Sequence, residues 1–214
     1  MFSLSDLQEW VAGMGIDVSP RAVAYNLATW EQAGVFLRVA RGLHVNRLAT
    51  PAVRPDEAAS CLRAGAIISL QRVLGQHGIL NNPTDWITAV VPTGVSAGTG
   101  AEGIVTPIGT FHFANIRPDF LSRPDATWQA DALDALAPVP TATPEKALLD
   151  WLYLATVPNG RNPPLPPRGD VDVEGLDRDR LARLAAAMGL EQAWAAWDRV
   201  AFPVEPSPRS RARP

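Results

Sequence analysis

The side chains with the plainest chemical use lie between Ser19 and Thr50. Arg21, Arg38, Arg41 and Arg47 stand there against a single acid, Glu31: four bases less one acid, or +3, inside a chain whose net charge is −3. Arginine and asparagine can contact guanine and adenine edges with two prongs, while tyrosine and threonine suit phosphates or a thymine methyl. Arg21, Ala22, Tyr25, Asn26 and Thr29 recur on one helical face, with Ser19 just before them and Arg38, Arg41, His44 and Arg47 just after. Such a cluster points to one local anionic partner surface, because the acidic average of the whole chain argues against a protein that coats nucleic acid everywhere.

Other chemistry fails on spacing. Gly98 to Gly103 reads GxGxxG, but a dinucleotide site needs a strand running straight into the loop and a helix opening from it. Here Val91 ends the preceding strand several residues earlier and IVTPIGTF follows as loop and then strand, so residues 92–103 read as a glycine-rich loop. His44, His77 and His112 lie far apart and none has cysteine or carboxylate neighbours at ligand spacing, so no metal is expected. Glu145 and Asp150 share a helix, but five steps of ~100° put them on different faces, a poor acid–base pair. Asp131 and Asp134 share a face that reads as a solvated acidic surface. No Gly-x-Ser-x-Gly elbow, Walker sequence or HExxH helix is present. The expectation is a protein without catalytic residues or cofactors.

With 214 residues, 47% of them hydrophobic and 19% charged, the chain can build at least one sizeable core. Its one cysteine, Cys61, excludes an internal disulfide and a cysteine-based zinc site, and fits a reducing cytosol. MFSLSDLQEW has no leading basic cluster, and no apolar run approaches the ~20 residues of a membrane span. A cytoplasmic protein with no membrane partner is expected.

Several elements must position these groups. Ser3 or Ser5 caps a first helix, the latter with Gln8 in the reciprocal place. Leu4, Leu7, Val11 and Met14 form its stripe, and Gly13 and Gly15 end it. Ser19, Pro20 and Gly34 punctuate a second helix with Val23, Leu27 and Trp30 inward. VFLRV at 35–39 and LHVN at 43–46 form a hairpin with Arg41 at its tip. Helix, turn, capped helix and basic hairpin is the order of a winged helix-turn-helix, here over residues 1–50, the second helix being the one that reads bases. LATPAVRP, 48–55, links it to a mixed α/β domain over 51–202. That domain has helices near 56–64 and 69–77, the second capped by Ser69, and strands at 86–91 and 109–116. Further helices follow near 125–136, within 139–155 (capped by Thr143), and near 177–188 and 190–200. Leu181, Leu184, Trp194 and Trp197 are the apolar positions of the last two. Residues 158–169 break into a proline-rich excursion, and 203–214 read as a disordered tail. The fold class is α+β.

Four segments in this order resemble one family. GVFLRVARGLHVN looks like the wing of AbiEi-type antitoxins, the regulators of type IV toxin–antitoxin (abortive infection) systems. IISLQRVLGQHGIL, GTFHFANI and TATPEKALLDWLYLA resemble successive pieces of that family's second domain, so the likeness runs from about Leu4 to Ala155. It implies a repressor that binds double-stranded DNA at inverted repeats in its own promoter. It also implies a second domain that counteracts a nucleotidyltransferase-like toxin, without requiring that the two proteins touch. Glu145 and Lys146, at the start of the most recognisable helix and able to face outward, are the candidate antitoxin surface. This chain departs from the family in having two helices before the wing instead of three. The other readings are an orphan regulator with a sensor domain and a nucleic-acid-processing enzyme using Glu145, Lys146, Asp150 and His112.

Overall fold

The first helix begins where a serine can hold its free N–H groups. In the computed structural model, which describes residues 1–97, 102–157 and 164–199, Ser3 accepts from the Asp6 N–H and Asp6 accepts from the Ser3 N–H. This capping box opens α1 (Leu4–Gly13), so Ser3 rather than Ser5 is the cap. Ser19 caps α2 (Pro20–Gln32) by accepting from the Ala22 N–H, and Gly34 leaves that helix at φ +74°. β1 (Phe36–Ala40) and β2 (Leu43–Asn46) then pair antiparallel, and Phe2 bridges to His44 on the outer side of β2. Phe2, Leu7, Val23 and Leu27 form the small core of this unit.

Two expected core positions are not covered. Met14 is 65% exposed and Trp30 38% exposed, because the inward stripes of α1 and α2 extend past the point where the unit has anything to cover them. The hairpin is held more firmly than a free wing. His44 and Val45 are successive residues of β2 and therefore point to opposite faces, yet both are buried. Each face of the hairpin therefore has a buried anchor.

The larger core is built on a four-stranded sheet in the order β3 (Ile67–Ile68), β4 (Ile87–Pro92), β6 (Gly109–Ile116), β5 (Ile104–Thr106). β4 and β6 run parallel and the outer pairs are antiparallel. The alternation of GTFHFANI places Phe111 and Phe113 on one face, both buried and stacked 6.3 Å apart. Around the sheet lie α3 (Ala58–Leu62), α4 (Gln71–Gln76), α5 (Pro118–Leu121), α6 (Ala126–Ala132), α7 (Pro144–Thr156), α8 (Arg178–Met188) and α9 (Glu191–Asp198). Thr143 caps α7 by accepting from the Lys146 N–H, as its sequence implies. α7 is the centre of the unit, packed on α4, α6, α8, α9 and β6, and Leu148, Leu149 and Leu152 are fully in the core. Among the described residues no helix is long and apolar enough to cross a membrane.

The chain is α+β, as its sequence implies, with some differences of detail. The expected helix near 56–64 is a short turn at Pro55–Glu57 followed by α3. Ser69 does not cap α4, which opens after Leu70 at φ +60°. α6 stops at Ala132 because Leu133 bridges to Ala142, so Asp134 lies beyond it and shares no helix face with Asp131. The short strands β3 and β5 and the single turn of α5 have too few residues to show a period. The expected glycine-rich loop and proline-rich excursion fall partly outside the described residues, and the expected tail wholly so.

Candidate nucleic-acid interface

Arg21 and Tyr25 stand on the exposed side of α2, opposite Val23 and Leu27, and Tyr25 is 73% exposed. Asn26 and Ala22 flank them, partly covered, and Thr29 is exposed. Thr29 donates its hydroxyl hydrogen to the Tyr25 carbonyl, so toward a ligand it can only accept. Ser19 already accepts from the Ala22 N–H; its own O–H is left to donate at the positive end of the helix. A tyrosine so exposed serves no core, and a helix face of this composition has donors and acceptors to spare.

On the hairpin Arg38 and Arg41 are exposed, and Arg47 follows the second strand, also exposed. His44 departs from the expected set. It is 5% exposed, stacked on Phe2, with Nε2 2.6 Å from Glu31 Oε1. A side chain held in that position cannot reach a ligand, so His44 belongs to the scaffold. Its position has an electrostatic consequence: Glu31, the one acid from Ser19 to Thr50, is engaged by His44. Among the described residues no ion pair holds Arg21, Arg38, Arg41 or Arg47, whereas Arg72, Arg117, Arg168, Arg178, Arg180 and Arg183 all meet carboxylates. These four cations are free to meet a ligand, on a unit whose formal charge is balanced by Asp6, Glu9, Asp17 and Glu31.

The second candidate surface is not a surface. Glu145 and Lys146 are each 3% exposed and Asp150 is fully buried. The expectation that Glu145 and Lys146 face outward fails because α7 is packed on nearly every side. Glu145 accepts from the Asp177 N–H and meets Arg180 at 3.3 Å. Lys146 pairs with Asp150 one turn on, and Asp150 accepts from the Ser69 hydroxyl at 2.8 Å. Burial pushes the Lys146 ammonium down and the Asp150 carboxyl up from their ordinary values, each opposed by the other's charge. The crevice beside them, lined also by Ile67, Phe120 and Leu133, has no room for a water-sized molecule. Glu145, Lys146 and Asp150 are consequently closed to a substrate. His112 lies elsewhere, its ring stacked 4.0 Å from Trp86 and its Nε2 buried under Gly103 without a partner, and burial lowers its pKa. Asp131, expected on a solvated face, is also buried and accepts two hydrogen bonds from Arg183.

No family model matches the chain, and no curated protein matches it. It is similar to the crystal structure of the RV2827C protein from Mycobacterium tuberculosis, with a TM-score of 0.52 and 16% identity over 90% of this chain and 71% of that one. The likeness is one of fold.

Sequence reasoning placed α2 and the arginines but missed the pairing of His44 with Glu31, which are thirteen residues apart and on different elements. It also missed the inward turn of Glu145 and Lys146. The signal was there: Lys146 is the only lysine in the chain, with Asp150 at i+4 in a helix otherwise apolar on most sides.

Proposed function

We propose that this chain is the DNA-binding antitoxin of a type IV toxin–antitoxin system. In this reading α1, α2 and the hairpin act as a winged helix-turn-helix on the chain's own promoter, in the cytoplasm. The remainder of the chain counteracts a nucleotidyltransferase-like toxin. The observation that carries the DNA half is the set of exposed arginines with no ion-pair partner, set beside the polar face of α2, while Glu31, the one acid of α2 and the hairpin, is held by His44. Arg38, Arg41 and Arg47 would neutralise phosphates, fixing the protein on the duplex without reading sequence. Arg21, Tyr25 and Asn26 would meet base edges in the major groove, with the Ser19 hydroxyl donating to a phosphate at the start of the helix. The antitoxin half is supported by the likeness of the four sequence segments to AbiEi-type antitoxins.

Binding measured against salt concentration tests the reading. Arg41→Ala is expected to weaken binding to promoter and random duplexes alike and to lower the salt slope by about one unit. Tyr25→Ala with Asn26→Ala is expected to lose promoter preference, about 1–3 kcal/mol for each base contact, with little change on random DNA. In cells Arg41→Ala should relieve repression while still rescuing growth against the neighbouring toxin. An unchanged salt slope removes the hairpin from the interface, and loss of rescue together with repression removes the division of labour.

A further inference from the structure

We propose that the aromatic surface shared by α1, α2 and β1 joins two copies of this chain. Four rings form a continuous run. The Trp10 and Phe2 centroids are 5.7 Å apart, those of Phe2 and Phe36 4.9 Å, and those of Phe36 and Trp30 5.5 Å. Phe2 is buried inside the run, yet Trp10 is 53% exposed, Trp30 38%, and Met14, one turn beyond Trp10, 65%.

These are not solvent-facing positions. At ~100° per residue Met14 lies within about 20° of Leu7, and Trp30 within about 20° of Val23, the buried centres of the two helices. Both belong by direction to the inward stripes and are exposed because the unit ends before covering them. A unit of some fifty residues is short of apolar burial in any case, and this one buries six apolar side chains, Phe2, Leu7, Val23, Leu27, Val39 and Val45.

The occupant follows from area and charge. Taking ~200–250 Å² for a whole large side chain, Trp10, Met14 and Trp30, with the open part of Phe36, expose on the order of 400 Å² of mostly apolar surface. At ~60% apolar, an interface centred there covers about 650 Å² per copy, at the lower end of the ~600–1,000 Å² per partner of a stable complex. Trp10, Met14, Trp30 and Phe36 carry no charge, so the centre of the surface meets its own copy without like-charge repulsion, Asp6 and Glu9 being left to the rim. A polyanion is disfavoured, because Asp6 lies one turn before Trp10 and Glu9 beside it. A two-fold pairing of one surface with itself closes at two copies. Arg21 and Tyr25 lie about 140–180° around α2 from Trp30. The pairing therefore stands apart from the DNA reading and leaves that face free on both copies.

Sedimentation equilibrium of the full chain, from about 1 to 200 μM and without DNA, tests this. The expected result is a monomer–dimer equilibrium whose dissociation constant rises about tenfold or more in Met14→Arg and in Trp10→Arg. Circular dichroism of both variants should match the parent, since both side chains are half exposed or more. Tyr25→Ala is expected to leave the association unchanged while impairing promoter recognition, so the two proposals fail separately. A monomer across the whole range overturns the inference. So does a dimer indifferent to Met14→Arg and Trp10→Arg, and so does open-ended association.

Discussion

Replacing Lys146 by methionine removes one member of a fully enclosed ion pair while nearly preserving its volume. Asp150, 0% exposed, would then keep only the Ser69 hydroxyl as a hydrogen-bond donor. Losing one partner of a buried pair costs about 3–5 kcal/mol, because the remaining charge has neither water nor counter-charge. That is a large part of the ~5–15 kcal/mol that holds a domain folded. With a urea dependence of ~2 kcal/mol per molar, the unfolding midpoint should fall by about 1.5–2.5 M. Lys146→Met with Asp150→Leu should recover most of the loss, since an apolar pair of similar volume needs no counter-charge. A residue of about 1–2 kcal/mol should remain for the Ser69 hydroxyl left without its acceptor. Urea unfolding followed by far-ultraviolet circular dichroism measures all three proteins. A single-variant loss below about 1 kcal/mol, or a double variant worse than the single, would refute the enclosed-pair reasoning and return Lys146 to the surface.

Two further outcomes follow from other elements. Asp131 is held below the usual carboxylate range, chiefly by its hydrogen bonds from Arg183 at 2.7 and 2.8 Å, with Arg180 adding to the effect. A carboxyl lowered by folding contributes stability that is complete above its unfolded pKa of ~3.9 and is lost as pH falls toward the folded value. Arg183→Gln should therefore lower the urea midpoint at pH 7 and flatten its decline between about pH 5 and 2; parallel declines in the two proteins would count against this. Gly103 has φ +70°, and a Cβ there would sit 2.6 Å from His112 Nε2 and 2.8 Å from the Phe111 carbonyl oxygen. Gly103→Ala should destabilise by about 1–3 kcal/mol. Gly13→Ala, at the open end of α1, should instead be neutral or stabilising by up to ~1 kcal/mol, and equal losses at the two sites would contradict the steric argument.

Much of the architecture was legible because its determinants are local. Ser19-Pro20 with Gly34, Thr143-Pro144 and the alternation of residues 109–116 each mark an element within a few positions. The polar face of α2 was legible for the same reason, since the stripe of Val23 and Leu27 fixes what lies opposite. What stayed hidden depends on partners remote in the chain. Asp150 meets Ser69 across 81 positions, Asp131 meets Arg183 across 52 and Glu145 meets Arg180 across 35. No period or spacing encodes such meetings, and a charged residue in a helix reads as solvated until the packing shows otherwise. Met14 and Trp30 erred the other way: the helical period gives a direction but not whether a neighbour stands there.

The clamped hairpin has a thermodynamic consequence. With His44 and Val45 both covered and α2 capped at its start, the exposed arginines stand on a frame assembled before anything approaches. On the proposed DNA reading, a polyanion landing there would order side chains but almost no backbone, so little conformational entropy would be lost. The gain would come instead from small cations released into solution, which is entropic and fades as salt rises. Association of this kind has a small heat-capacity change, in contrast to the large negative one of a segment that folds as it binds. Calorimetry at two temperatures would read this frame as a nearly flat enthalpy.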